Sequence, residues 1–157
     1  MQTAPLRPPA RVSSSWRVGI VHASFYPDEV MNLVQGAERV LREAGLLQSN
    51  IRRFPVPGSF EIPLVGAALL EAKEVDALLG IGIIVEGETH HARLIAEAVA
   101  HGIMDVQLKY CAPFAFEVLF VKNIEQARAR AGAMGNKGEE AAIAVLHSLA
   151  QLGPLRS

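Results

Sequence analysis

The sequence predicts an α/β protein, a parallel sheet with helices on both of its faces. Two observations carry this. Short apolar runs alternate along the chain with segments whose apolar residues recur at helical spacing, strand then helix from one end to the other. One of those runs, "VDALLGIGIIV" at residues 75–85, is apolar on both faces, as a strand buried between two layers must be. A length of 157 residues, half of them hydrophobic, suits one domain with a real core.

The elements follow in order. Residues 18–21 form a β-branched run that reads as a first strand. "PDEVMNLVQGAERVLREAG" places Val30, Leu33, Val34, Ala37 and Leu41 on one helical face, with Pro27 in the first turn and Gly45 as the stop. "NIRRFPV" reads as a second strand. "PGSFEIPLVGAALLEAK" reads as a loop and then a helix in which Pro63 is tolerated near the start. The apolar run at 75–85 is the third strand. "THHARLIAEAVAHG" reads as a third helix that begins near Thr89 and closes at Gly102. "DVQLKY" and "FEVLFV" read as two more strands. "NIEQARARAG" is a short helix. "NKGEEAAIAVLHSLAQLG" is the last one, with Asn136 as N-cap, Glu139 as the partner in a capping box, and Gly153-Pro154 as its end.

Composition excludes several classes. Lysine plus arginine number 15 and aspartate plus glutamate 16, a formal net charge of −1, so no basic field points to nucleic acid or to an anionic membrane surface. Charges interrupt every apolar segment before membrane-spanning length. Cys111 is the single cysteine, which rules out an intrachain disulfide and fits a reducing cytoplasm. Beside Ala112-Pro113 it reads as a small buried apolar residue. The opening "MQTAPLRPPARVSS" is neither a signal peptide nor an anchor. Residues 1–14 read as a flexible or partner-docked arm, and residues 15–157 as a single domain.

Open α/β sheets bind ligands beyond the carboxyl ends of their strands. Three loops fall there, at residues 23–26, 56–61 and 86–91. The last holds an abrupt change in "GIIVEGETHH". Residues four apart share a helical face, so His91 heads the expected inner row of Ile95, Ala98, Val99 and Gly102. His90 aligns instead with Leu94, Glu97 and His101 on the flank. His91 is therefore the imidazole expected in the cleft, where it can move protons near neutral pH. The amides of Gly87 to Thr89 are candidates to cradle a phosphate at a helix start. Glu86 and Glu88 oppose this unless a cation offsets them, and Arg128, Arg130 and Lys137 are the candidates. On the other reading, Glu88 and Thr89 simply complete a first-turn cap. His22, His90, His101 and His147 read as structural or surface residues.

Three blocks, "VPGSFEIP" at 56–63, "GETHH" at 87–91 and "NIEQARARAG…GNKGEEAA" at 123–142, stand in the order and spacing of the lumazine synthase family. The chain resembles that family in register from about Trp16 to Leu152. The resemblance implies a flavodoxin-like three-layer sandwich with a four-stranded parallel sheet, its N-terminal arm pairing with a neighbouring subunit. It implies condensation of an amino-ribitylaminouracil with a dihydroxybutanone phosphate, a late step of riboflavin biosynthesis, with no metal or organic cofactor. By position, Phe25 resembles the aromatic that covers the pyrimidine ring. Ser59, Phe60 and Glu61 resemble the segment that holds the ribityl chain and ring edge, and Ile84 and Val85 offer backbone groups. Phe116 resembles a second aromatic contributed by a neighbouring subunit. Glu88, Thr89 and Arg130 match phosphate-binding positions, Lys137 adds to that field, and His91 takes the proton-transfer position.

The chain departs from the family pattern at Tyr26, where asparagine is common, and at Ala92 and Arg93, where an aromatic and an acid usually follow the histidine. It also departs at Glu86, Glu117 and Phe120, where a basic residue, glycine and threonine are usual. The very apolar fourth- and fifth-strand region and last helix imply a permanent partner. The family forms pentamers, and some members pack twelve of them into a hollow shell. The alternatives to an enzyme are a flavin- or lumazine-binding module without turnover and an inactive shell subunit.

Overall fold

The computed structural model describes residues 6–156. Residues 1–5 of the expected arm, and Ser157, lie outside that range. Among the described residues four strands form one parallel sheet in the order β2-β1-β3-β4, where β1 is Val18–Ala23, β2 Ile51–Val56, β3 Ala77–Val85 and β4 Phe114–Val121. Among the described residues five α-helices connect and flank the strands: α1 Pro27–Ala44, α2 Ile62–Glu71, α3 His91–Tyr110, α4 Ile124–Ala131 and α5 Lys137–Arg156. One apolar core, built on Leu33, Leu41, Ile81 and Leu146, joins the sheet to α1, α4 and α5. A second, built on Val21, Ile62, Val99 and Phe114, joins its other face to α2 and α3. The three-layer α/β/α arrangement and four parallel strands are those the family resemblance implies, one strand fewer than the element-by-element reading of the sequence. β1 and β3 lie inside the sheet and are buried along almost their whole length, whereas β2 and β4 form the two edges.

Six local expectations are corrected. Helix α3 does not close at Gly102, and residues 105–110 are helix rather than strand. Glycine inside a helix costs about 1 kcal/mol relative to alanine, but here it lets α3 approach α2. A Cβ on Gly102 would stand 3.0 Å from the ring carbons of Pro63. Beyond it Ile103, Val106 and Tyr110 pack into the second core, which keeps the helix going. The inner row of α3 is Ala92, Ile95, Ala96, Val99 and Ile103, while Ala98 points outward. Cys111 is exposed, not buried; it ends α3 in the left-handed conformation at φ 49°, ψ 46°.

Helix α5 runs past Gly153-Pro154 to Arg156, whose guanidinium donates to the carbonyl of Cys111 and ties the last turn down. At its start Asn136 caps as expected, Oδ1 accepting from the amides of Gly138 (2.8 Å) and Glu139 (3.2 Å). The capping box is not closed, because the carboxylate of Glu139 pairs with Arg39 on α1. Helix α1 begins at Pro27 and ends in the left-handed Gly45, as read from the sequence. Residues 6–14 carry no regular structure and lie along α1 and α5, with His147 Nε2 2.6 Å from the carbonyl oxygen of Arg7.

Candidate active site

The carboxyl ends of β1, β2 and β3 open onto one cleft of about 430 Å³. All three loops singled out in the sequence reach it. The first contributes Phe25 and Tyr26, the second the run Pro57 to Glu61, and the third His91 at the head of α3, with Ile83 to Val85 as the floor and Ala92 and Ile95 behind.

The loops are locked to each other by short bonds. Ser24 Oγ donates to the carbonyl of Val56 (2.7 Å) and its amide to that of Pro57 (3.3 Å). This sets Phe25 beside Gly58, and a Cβ on Gly58 would lie 3.5 Å from the phenyl ring. Glu61 reaches back so that its carboxylate accepts from the Gly58 amide at 2.9 Å. Glu61 thus closes the turn that Ser59 was a candidate to cap. Ser59 is buried against β3 instead, and a Cβ on Gly82 would stand 2.3 Å from its hydroxyl oxygen. The glycine inside this apolar strand is therefore a seat for Ser59, a signal present in "GIGIIV" but legible only with the second loop in place. Phe25 and Phe60 are 64 % and 62 % exposed. Two aromatic side chains left open at the mouth of a cleft, on loops held by a rigid scaffold, are arranged for a flat ligand.

His91 is the first residue of α3 and lines the cleft, while His90 is the residue before the helix and does not. The flank assigned to His90 is confirmed: Leu94, Glu97 and His101 are all exposed. The helix starts at His91, two residues beyond Thr89, and its first backbone bond runs from the Leu94 amide to the His90 carbonyl (3.0 Å). The amides of Gly87 to Thr89 thus precede the helix. Thr89 Oγ1 accepts a long hydrogen bond from the His91 amide at 3.4 Å. Glu86 is held by its amide on the carbonyl of Val121 (2.7 Å).

Phe25, Ser59, Phe60, Glu61, Ile84, Val85 and His91 come together in this cleft. Glu88, Thr89, Phe116, Arg130 and Lys137 do not line it. Phe116 is exposed on the edge strand β4, opposite Gly80 of β3. Arg130 on α4 donates from Nη1 to the Gln126 carbonyl (3.1 Å), and Lys137 pairs with Glu140 (2.7 Å). Arg128, the third candidate cation, is engaged by the buried Glu29 of α1 at 3.0 Å. Glu117, half-buried on β4, is pushed up to about 7, first by burial and then by Glu140, with Lys137 pulling the other way. Among the described residues no group of three or more His, Cys, Asp or Glu side chains could hold a metal ion.

A flavodoxin-like α/β sandwich with an aromatic-walled cleft at the carboxyl ends of its parallel strands, and an imidazole at a helix start beside it, defines a small-molecule-binding enzyme scaffold. Comparison with known proteins narrows the class. Residues 15–152 match the model of the family described as 6,7-dimethyl-8-ribityllumazine synthase. The chain is 45 % identical over 139 residues to a protein of that name from Cytophaga hutchinsonii, covering 88 % of this chain and 87 % of the relative. It is 41 % identical over 136 residues to one from Limosilactobacillus reuteri (86 % and 88 %) and 40 % over 137 residues to one from Stenotrophomonas maltophilia (87 % and 88 %). The chain belongs to the 6,7-dimethyl-8-ribityllumazine synthase family.

Proposed function

We propose that the chain condenses 5-amino-6-ribitylaminouracil with 3,4-dihydroxy-2-butanone 4-phosphate, giving 6,7-dimethyl-8-ribityllumazine, phosphate and water. The observation that carries this is the single cleft in which Phe25, the Ser59–Phe60–Glu61 turn, the end of β3 and His91 meet, in a chain of this family. Phe25 covers the pyrimidine ring. Ser59, Phe60, Glu61 and the backbone of Ile84 and Val85 hold its polar edge and the ribityl chain. The amine adds to the ketone and loses water to form an imine. Phosphate then leaves by elimination, and the second nitrogen closes the ring with loss of water. His91 takes and returns the protons of these steps. Holding two substrates in one slot supplies much of the remaining acceleration.

The phosphate sits by Glu88 and Thr89, bound through main-chain amides, and its charge is met by Arg130 and Lys137. Those two residues and Phe116 do not line the cleft of their own chain, so in this reading they serve the cleft of a neighbouring protomer. That makes the assembly a pentamer at least, with the shell of twelve pentamers as the larger form. Residues 1–14 act as an arm on a domain of residues 15–157, pairing with an open sheet edge of the neighbour. The single cysteine fits a cytoplasmic location, and among the described residues no helix is long and apolar enough to cross a membrane.

The test is direct. Protein mixed with both substrates yields the absorbance and fluorescence of the lumazine. Binding of the uracil without product would assign the cleft to a non-catalytic module.

A further inference from the structure

Tyr26 lines the cleft beside Phe25, and the reaction as described gives it no task. Its backbone lies in the left-handed region at φ 53°, ψ 59°, a conformation that glycine and asparagine adopt with less strain than an aromatic residue does. Pro27 follows at the start of α1 and disfavours right-handed helical geometry in the residue before it. The Tyr26 carbonyl accepts the amide of Val30 at 3.0 Å, while Ser24, two residues back, is fastened to Val56 and Pro57. None of these bonds uses the side chain. It makes no capping bond to α1, and among the described residues its hydroxyl has no hydrogen-bond partner. The fold thus bears the strain of a tyrosine where a smaller residue would serve the turn better, and the phenol is left unengaged at the cleft. Strained residues of this kind cluster at ligand clamps.

We infer that Tyr26 is a substrate-binding residue that sets specificity for the ribityl-bearing substrate. Its ring extends the aromatic wall begun by Phe25, and its hydroxyl hydrogen-bonds the polyol tail. This rests on the function proposed above and adds to it a residue the family pattern does not supply.

Two variants test it, each titrated calorimetrically with the uracil substrate alone and with the butanone phosphate alone. Tyr26→Phe keeps the ring and loses the hydroxyl. It weakens uracil binding about five-fold, the scale of one net hydrogen bond, and leaves butanone phosphate binding within two-fold. Tyr26→Asn removes the ring as well, weakens uracil binding further, and melts at or above the temperature of the parent because the strain is relieved. Uracil binding within two-fold of the parent in both variants overturns the inference. So does a Tyr26→Asn protein that melts below the parent, since that assigns the tyrosine to the fold. If the parent binds the uracil but forms no product with both substrates, the catalytic reading fails while the Tyr26 comparison still decides. If the parent does not bind the uracil, both fall.

Discussion

The side chain of Asn136 lies directly over Gly36. A methyl group on Gly36 would stand 2.6 Å from Asn136 Oδ1. The buried amide cannot swing away, because it donates to the carbonyls of Asn32 (3.1 Å) and Ala131 (3.0 Å) while its oxygen holds the first turn of α5. One side chain thus fastens α5 to α1 and fixes the height of Lys137. Alanine at position 36 gains about 1 kcal/mol of helix propensity but meets a contact that overpacked sites relieve at about 1–3 kcal/mol. With four hydrogen bonds at stake the contact wins. Gly36→Ala should lower stability by about 1–2 kcal/mol in urea unfolding, and an unchanged or raised midpoint would contradict this.

Glu117 gives stability a pH dependence. Its carboxyl is raised from 4.5 to about 7 by burial. Between those values the folded chain keeps a proton that the unfolded chain has released, so stability falls as pH rises through that window and the loss is complete above it. Glu117→Gln removes the effect. The stability of the variant relative to the parent should climb from pH 4.5 to about 7 and then level off, by about 3 kcal/mol at most. A flat difference across that range would show that the carboxyl is not held protonated.

His91→Ala should slow turnover by about a hundred-fold or more, the low end of what a positioned acid–base group supplies. His90→Ala, outside the cleft, should stay within a factor of about two, a shift below 0.5 kcal/mol. A His91→Ala rate within that same factor would remove the histidine from the mechanism.

Arg128 and Arg130 sit two residues apart and should behave oppositely. Arg130→Ala loses only a bond to its own helix and should leave stability within about 0.5 kcal/mol. It should raise the KM for the phosphate substrate ten-fold or more, as loss of a charge-assisted contact does. Arg128→Ala strands the buried carboxylate of Glu29 and should cost about 1–3 kcal/mol of stability, with a smaller effect on that KM. Swapped results would exchange their roles.

Light scattering at micromolar concentration should return a mass of at least five chains of 16.9 kDa. A monomeric mass would leave Phe116, Arg130 and Lys137 without a cleft to serve.

Much of the architecture was legible because its signals are local. Apolar spacing marked α1 and the buried β3, Gly45 and Asn136 marked helix ends, and i, i+4 geometry placed His91 in the cleft and His90 on the flank. The errors fell where a local signal met a distant partner. Gly102 looks like a helix stop until Pro63 is packed against it, and "DVQLKY" looks like a strand until Val106 and Tyr110 find the second core. Glu139 looks like half of a capping box until Arg39 draws it away.

By itself, then, the sequence determined the alternation of strands and helices, the three loops at the carboxyl ends and the residue types within them, because hydrophobic period and turn chemistry act over a few residues. Only the tertiary structure decided that Ser59 seats on Gly82, that Tyr26 is held left-handed beside Phe25, that Cys111 faces solvent, and that Phe116, Arg130 and Lys137 stand outside their own cleft. Those outcomes depend on the space between side chains remote in sequence, and no local pattern encodes that space.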